Sequence, residues 1–230
     1  MLFRSKKVLL VAYGFPPVGG AGVQRPVKFV KYLRELSWEP MVLTVANPSV
    51  PVIDETLVKD IPAGTKIYYA RTLEPSYERK QSVSKPSGQG SGVKSLIKRL
   101  ALMMLIPDVQ LLWWPELIKT LVTAIRAEKP DCLYVTAPPF SSFLPVVLMG
   151  KLFGIPVILD YRDEWSFSRD NWENAVKTSI ARKIDSWMEG YVIRHATAIT
   201  VASPYYKTSL EKMFPFAAGK VRTITNGYDP

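Results

Sequence analysis

The chain has 230 residues, 47% hydrophobic and 22% charged, a balance typical of globular proteins and unlike a disordered chain or a fibre. A single cysteine, Cys132, excludes a disulfide framework and a cysteine-cluster zinc site, and a single histidine, His195, leaves almost nothing for a histidine-based metal site or catalytic triad. The formal net charge of +10 favours anionic partners, namely nucleic acid, phosphorylated ligands or a membrane surface.

The N-terminal segment resembles a signal peptide, because basic residues precede an apolar run. The run is short, however, and it continues into Pro16-Pro17 without a convincing small-residue cleavage site. The apolar stretch Leu100–Trp114 is interrupted by a proline and an aspartate, whereas a bilayer span needs about 20 apolar residues. We therefore expect the N-terminal apolar run to form a buried first strand, and the chain to have a cytoplasmic, reducing location.

Short apolar runs rich in Val, Ile and Leu recur along the chain and predict buried strands. The predicted strands are Lys7–Tyr13, Met41–Val45, Lys66–Tyr69, Cys132–Val135, Val157–Leu159, Ala198–Val201 and Val221–Ile224. Helical spacing of apolar residues lies between them, over Pro26–Leu36 and again from Val176 through Ile180, Ile184 and Trp187 to Tyr191. This alternation predicts an α/β fold, an open Rossmann-like three-layer sandwich with a mostly parallel sheet, in one domain over residues 1–230.

Residues 76–95 break the alternation, because they are rich in Ser, Lys, Gln and Gly and almost devoid of large apolar side chains. The αβ pattern resumes after them. We therefore predict a flexible surface loop or insertion at 76–95 rather than a domain boundary.

Ligands of open parallel sheets bind at the carboxyl ends of the strands, so the residues that follow each predicted strand are the candidates. After the first strand come Gly19, Gly20 and Gly22, and then Arg25 in the first turn of a helix. Glycines let backbone amides approach an anion, and a helix N-terminus adds a favourable dipole. The pattern fits a phosphate or sugar cradle and a plain tight turn equally well, and Arg25 is then a ligand contact or an ordinary solvated charge.

The fourth predicted strand is followed by Thr136, two prolines, Phe140, Ser141 and Ser142. The functional interpretation is a rigid wall of the cleft that presents hydroxyls and amides. The alternative is that Ser141 or Ser142 caps the next helix.

The fifth predicted strand ends in Asp160, Tyr161, Arg162, Asp163, Glu164 and Trp165. Charges at a strand end are costly to bury unless they are paired or used. One interpretation is a structural Asp–Arg pair. The other makes Asp163 or Asp160 the partner of a sugar hydroxyl or its proton, with Arg162 holding geometry or a phosphate. Trp165 would stack on a sugar ring or lie in the core or at its rim.

Five motifs in order resemble the N-terminal half of a GT-B glycosyltransferase of the retaining, family 4 type, of the bacterial polysaccharide and lipid-linked sugar kind. They are Pro16-Pro17 with Gly19-Gly20, Pro107-Asp108 with Trp113 or Trp114, Thr136 to Ser141, Pro156 to Trp165, and Asn226 to Asp229. Each motif is weak by itself. The match covers nearly the whole chain except the 76–95 segment.

The resemblance implies that this half binds the acceptor, a glycan or a lipid-linked molecule, and that the reaction takes place in a cleft against a second domain. A His-Asp pair of the family falls on Arg162-Asp163, so the usual histidine is missing and Asp163 becomes the expected contact to the sugar of a nucleotide-sugar donor. Gly19 and Gly20 would lie against the donor diphosphate or the acceptor. No metal and no cofactor are expected, because basic side chains and amides neutralise the leaving diphosphate in such enzymes.

The sequence departs from the family in lacking its second, donor-binding domain with a Glu-x7-Glu motif, since no two glutamates here are eight positions apart. We therefore expect half an enzyme that is inactive alone. The alternative is a stand-alone binding module for phosphorylated sugars or anionic surfaces. Nucleic-acid binding is disfavoured, because basic and aromatic residues do not interleave as in a recognition module.

Residues 93–104 predict a basic amphipathic helix, with an apolar face beside Lys94, Lys98 and Arg99. Such a helix near tryptophans favours peripheral binding to an anionic membrane, here the inner face of the cell membrane. The alternative is a helix packed on the sheet with a solvated basic edge.

Overall fold

The computed structural model describes residues 5–84, 106–165 and 179–227, and its centre is a seven-stranded sheet. The strands are β1 (Lys6–Ala12), β2 (Trp38–Val45), β3 (Lys66–Ala70), β4 (Cys132–Ala137), β5 (Val157–Tyr161), β6 (Ala198–Val201) and β7 (Val221–Thr223). Their order is β3-β2-β1-β4-β5-β6-β7, and every neighbouring pair is parallel. All seven predicted strands are confirmed, with ends that move by a few residues.

The helices form the two outer layers. They are α1 (Gln24–Glu35), α2 (Tyr77–Ser84), α3 (Trp114–Glu128), α4 (Phe143–Phe153), α5 (Ser179–His195) and α6 (Pro204–Met213). Val27 and Val30 of α1 pack in one apolar cluster with Val8 and Leu10 of β1. Buried residues of α3, α4, α5 and α6 share a second cluster with the alternate residues of the same strands. This arrangement is the predicted open three-layer sandwich.

The strands were predictable because the sheet is covered on both faces. Leu9, Leu10 and Val11 of β1 are each 0% exposed, although successive side chains of a strand point to opposite faces. Strands buried on both faces read as continuous apolar runs.

The segment predicted as a loop or insertion at 76–95 contains a helix at its start, where Tyr77–Ser84 form α2. Lys80 Nζ in this helix donates to Glu74 Oε2 and to the carbonyl oxygen of Ser49, both at 2.8 Å. These bonds fix the helix to the segments that follow β2 and β3. The rest of the predicted loop and the predicted membrane helix at 93–104 lie outside the described residues. Among the residues that are described, no helix is both long and apolar enough to cross a bilayer.

Helix α5 is confirmed, but the apolar stripe that predicted it faces solvent. Ile180 and Trp187 are 64% and 66% exposed, whereas Asp185 and Glu189 are buried at 1% and 0%. Burial, together with the nearby Glu189 carboxylate, raises the pKa of the Tyr161 hydroxyl well above its ordinary value. The helix therefore turns its two carboxylates inward, beside Met188, Val192 and Ile193, and turns the predicted apolar stripe outward.

At the amino edge of the sheet, Glu128 accepts hydrogen bonds from Lys66 Nζ at 2.5 Å, Tyr68 Oη at 2.7 Å and Lys7 Nζ at 3.3 Å. The bonds from Lys66 and Tyr68 lower the pKa of Glu128 from 4.5 to about 2, against the opposing effect of burial. Because the folded state binds this proton more weakly than the unfolded chain, the stabilisation is complete above the unfolded pKa and disappears as the pH falls through the folded one.

We therefore expect Glu128→Gln to unfold at lower urea concentration than the wild type at pH 7. The difference in the free energy of unfolding should shrink between pH 4.5 and pH 2, where the wild-type carboxylate takes up its proton. Urea titrations of both proteins across this range measure it. A difference that stays constant down to pH 2 would contradict the assignment.

Candidate functional site at the carboxyl edge

The candidate site lies where the carboxyl ends of β1, β4, β5 and β6 meet. Strand order reverses between β1 and β4, which pair along Val8–Ala12 and Cys132–Thr136. Loops that leave neighbouring strands in opposite directions open a crevice at such a point, and ligands of open α/β sheets bind there. The predicted site residues are distributed over these loops.

The glycine loop after β1 is packed tightly against the segment that precedes the short helix at Glu55–Asp60. The amide of Gly19 donates to the carbonyl oxygen of Val52 at 3.0 Å, and a Cβ atom at Gly19 would lie 2.6 Å from Val52 Cγ1. Gly20 has a φ of 98°, which side-chain-bearing residues rarely adopt. The tight-turn interpretation thus accounts for Gly19 and Gly20. The anion cradle predicted at Gly19, Gly20 and Gly22 stays a prediction.

Arg162 joins two loops of the site. Its Nε donates to the carbonyl oxygen of Ala137 at 3.2 Å and its Nη2 to that of Pro138 at 2.6 Å, while Nη1 donates to the carbonyl oxygen of Gly22. A Cβ atom at Gly22 would lie 2.6 Å from Nη1, so this contact requires a glycine. Burial lowers the pKa of the guanidinium, but Arg162 remains charged at neutral pH. Of the two predicted roles, the geometry favours holding the loops over binding a phosphate.

Asp160 is fully buried at the end of β5 and forms an ion pair with Arg25. Its carboxylate accepts from Arg25 Nη2 at 2.8 Å and from Arg25 Nε at 3.0 Å, and also from Thr136 Oγ1 at 2.8 Å and Thr200 Oγ1 at 2.7 Å. The structural Asp–Arg pair considered from the sequence is therefore present, but its arginine comes from α1 and not from Arg162.

Arg25 also reaches the segment that follows β7. Its Nη1 donates to the carbonyl oxygen of Ile224 at 2.8 Å and to Asn226 Oδ1 at 3.2 Å. Burial disfavours the charge, but the hydrogen bonds and the attraction of Asp160 outweigh burial, so the pKa of Arg25 is raised. At 9% exposure this side chain is not the solvated charge that one interpretation expected, and its donors are used within the protein.

Asp163, the residue after Arg162, is exposed at the same edge. A ligand can therefore reach this predicted catalytic carboxylate. The other predicted one, Asp160, is 0% exposed. The rigid attachment of Arg162 to two loops fixes the backbone on which Asp163 stands.

The turn after β4 does not present the hydroxyls that the functional interpretation expected at its surface. Ser141 and Ser142 are each 1% exposed, and Ser142 Oγ donates to the carbonyl oxygen of Pro139 at 2.7 Å. No side-chain cap is formed by Ser142, the residue before α4, so the capping alternative fails at that residue. Thr136 is likewise buried, and its hydroxyl donates to Asp160.

Two residues named only in the family resemblance brace this turn. Asp108 Oδ2 accepts from the amide of Ser141 at 3.1 Å, and Trp114 Nε1 donates to the carbonyl oxygen of Ser141 at 2.8 Å. The Pro107-Asp108 motif and the tryptophan after it thus have a structural role here. No local signal in the sequence indicates that they meet the turn some 30 residues later.

Trp165 belongs to the core. It is 1% exposed and stacks on Phe140, with ring centroids 5.2 Å apart and planes at 10°. Phe143 contacts the same indole ring edge-on at 6.2 Å. The core interpretation of Trp165 therefore fits the structure, and a sugar ring has no access to its face.

Comparison with known proteins agrees with this fold. A family model described as a glycosyl transferase 4-like domain matches residues 19–227. No curated protein matches the chain by sequence. Among solved structures, sucrose-phosphate synthase from Thermosynechococcus elongatus superposes with a TM-score of 0.61 at 13% identity, over 97% of this chain and 49% of that one.

Two further structures share the fold. HepE from Anabaena, in complex with UDP and glucose, superposes with a TM-score of 0.52 at 14% identity, over 97% of this chain and 45% of its own. UGT73P12 of Glycyrrhiza uralensis, complexed with glycyrrhetinic acid 3-O-monoglucuronide, gives a TM-score of 0.52 at 11% identity, over 97% of this chain and 49% of its own. The chain therefore spans about half the length of the solved structures that it matches.

Proposed function

This chain belongs to the glycosyl transferase 4-like domain family, and from that premise we propose that it is the acceptor-binding half of a retaining GT-B glycosyltransferase. The enzyme would move a sugar from a nucleotide-sugar donor to a glycan or lipid-linked acceptor, in the cytoplasm and in the biosynthesis of cell-envelope polysaccharide. The observation that carries the proposal is the carboxyl edge, where Arg162 holds the glycine loop and the β4 turn together beside the exposed Asp163.

In this proposal, Asp163 accepts a hydrogen bond from a hydroxyl of the donor sugar. Such a contact orients the sugar for reaction. It requires an accessible carboxylate, and Asp163 is exposed. The amides of residues 20–22 face the donor diphosphate or the acceptor, and α1 begins just behind them at Gln24. Basic groups and amides, without a metal, balance the charge of the leaving diphosphate.

The second half of the active site would come from a donor-binding domain, whether covalent or on another chain. Support comes from the solved structures, whose chains are about twice as long as the part this chain matches. The 230-residue chain should therefore release no UDP from UDP-glucose and no GDP from GDP-mannose in a coupled nucleotide-release assay.

The decisive experiment measures the intact mass of the native protein in its source cells and assays that species with the same two donors. A species near twice 25.9 kDa that releases nucleotide would support a covalent donor domain. Turnover by the purified 230-residue chain would overturn the proposal that a second domain must supply the donor-binding half of the active site. A native species of 25.9 kDa that binds glucose 1-phosphate without turnover, and without a partner chain, would favour the alternative of a stand-alone binding module.

A further inference from the structure

The outward surface of α4 and α5 combines large exposed apolar side chains with basic ones. We call it the α4–α5 face, and it comprises Leu148, Lys151, Leu152, Ile180, Lys183, Ile184, Trp187 and Arg194. Leu152 is 70% exposed, Ile180 64% and Trp187 66%. Scattered exposed apolar residues need no explanation, but a contiguous stripe along one helix marks a surface that contacts something apolar.

The charge on this face has one sign. The acidic residues of α5, Asp185 and Glu189, are both buried, and the sequence of α4 contains no acidic residue. Lys151, Lys183 and Arg194 remain exposed at the surface. Helices that turn every carboxylate inward and display cations beside apolar side chains are complementary to an anionic surface with an apolar interior.

The aromatic residues have the chemistry of a membrane interface. The rings of Trp187 and Tyr191 lie 6.0 Å apart, and Tyr191 is only partly buried. Trp and Tyr are suited to the head-group region because an apolar ring carries a polar N–H or O–H group. The stripe runs along α5 from Ile180 to Tyr191, so its length is about 18 Å at about 1.5 Å per residue.

We propose that the α4–α5 face docks the protein on an anionic lipid bilayer. The apolar side chains of α5 and Leu152 enter the head-group boundary, while Lys151, Lys183 and Arg194 contact lipid phosphates. Since α5 leads into β6, its last turn lies at the amino edge of the sheet, and its first turn lies toward the carboxyl edge. The bilayer would thus run alongside the sheet, with Ile180 nearer to the candidate site than Arg194. The proposal rests on residues other than 93–104 and does not require sugar transfer.

Co-sedimentation of the 230-residue chain with large vesicles tests it. Vesicles of phosphatidylglycerol and phosphatidylcholine at low salt should bind the chain, and vesicles of phosphatidylcholine alone should not. Trp187→Ala should lower the partition coefficient about tenfold through lost apolar burial. Lys151→Gln and Lys183→Gln should each lower it about fivefold, and added salt should weaken binding.

Two matched controls accompany these variants. Leu152→Ala should lower binding about threefold, whereas Leu36→Ala, at the end of α1 on the other side of the sheet, should not change it; both leucines are 70% exposed. Lys59→Gln, an exposed lysine outside the face, controls for total charge. All these side chains are exposed, so thermal unfolding should be unchanged in every variant.

Three results would overturn the proposal. The first is no binding to anionic vesicles at low salt. The second is binding that Trp187→Ala and Lys183→Gln leave unchanged, which would assign membrane contact to another segment. The third is a dimer in sedimentation velocity that Trp187→Ala dissociates while vesicle binding persists, which would make this face an interface between copies of the chain. None of the three depends on whether the chain takes part in sugar transfer.

Discussion

Replacing Asp160 by Asn should cost about 3–5 kcal/mol of the free energy of unfolding, the usual effect of removing one partner of a buried ion pair. The loss is large because Arg25 is 9% exposed and would keep its charge without the carboxylate that balances it. The hydroxyls of Thr136 and Thr200 donate to the two carboxylate oxygens, and one of them would face the NH2 group of the asparagine and lose its acceptor. The whole free energy of unfolding of a globular domain is only about 5–15 kcal/mol, so the variant should be close to unfolding.

Urea unfolding followed by circular dichroism measures this prediction, and Asp163→Asn is the matched control. The control makes the same chemical change three residues away, at an exposed position, and should alter the free energy of unfolding by less than about 0.5 kcal/mol. Combining Arg25→Met with Asp160→Leu should recover much of the loss, because no unpaired charge remains. A stable Asp160→Asn variant that loses sugar transfer in the complete enzyme would instead support the catalytic role predicted for Asp160.

Asp163→Asn should have the opposite profile, a normal fold and a large loss of turnover. In the complete native enzyme we expect its kcat to fall about 10–100-fold, because a hydrogen bond to a charged group contributes about 1.5–3 kcal/mol. The physical reason is that an amide cannot accept as strongly as a carboxylate from a sugar hydroxyl.

Nucleotide release from the preferred donor of the native enzyme measures this effect, with Glu35→Gln as the control. Glu35 is an exposed carboxylate at the end of α1, remote from the carboxyl edge, and its substitution should leave kcat within about twofold. A kcat for Asp163→Asn equal to that of Glu35→Gln would remove Asp163 from the proposed mechanism.

The fold was largely predictable from the sequence because its strands are buried on both faces. Runs such as residues 8–13 and 132–135 are apolar at every position, so no choice of face was needed. Helix α5 shows where this reasoning fails. Its periodicity correctly indicated a helix, but the apolar stripe is outside and Asp185 and Glu189 are inside. Hydrophobicity alone predicts the reverse orientation, because it assigns carboxylates to solvent.

The candidate site was predictable in place but not in its internal bonds. The rule that ligands bind at the carboxyl ends of strands selected the edge of the sheet at which the candidate residues meet. The partners of Asp160 and Arg162 were not predictable, because Arg25 and Gly22 approach them from 135 and 140 positions away in sequence. The position of Trp165 was equally ambiguous. It lies in the core because Phe140, in the turn after β4, stacks on its ring.

The central position of β1 has a consequence for synthesis on the ribosome. Its first neighbour, β2, is complete at residue 45, but its second neighbour, β4, is complete only at residue 137. At ordinary elongation rates this interval lasts on the order of ten seconds, during which one edge of this buried strand has no partner. An unpaired central edge is a template for pairing with other nascent chains. Chaperone cover until β4 has emerged should therefore raise the yield of folded protein.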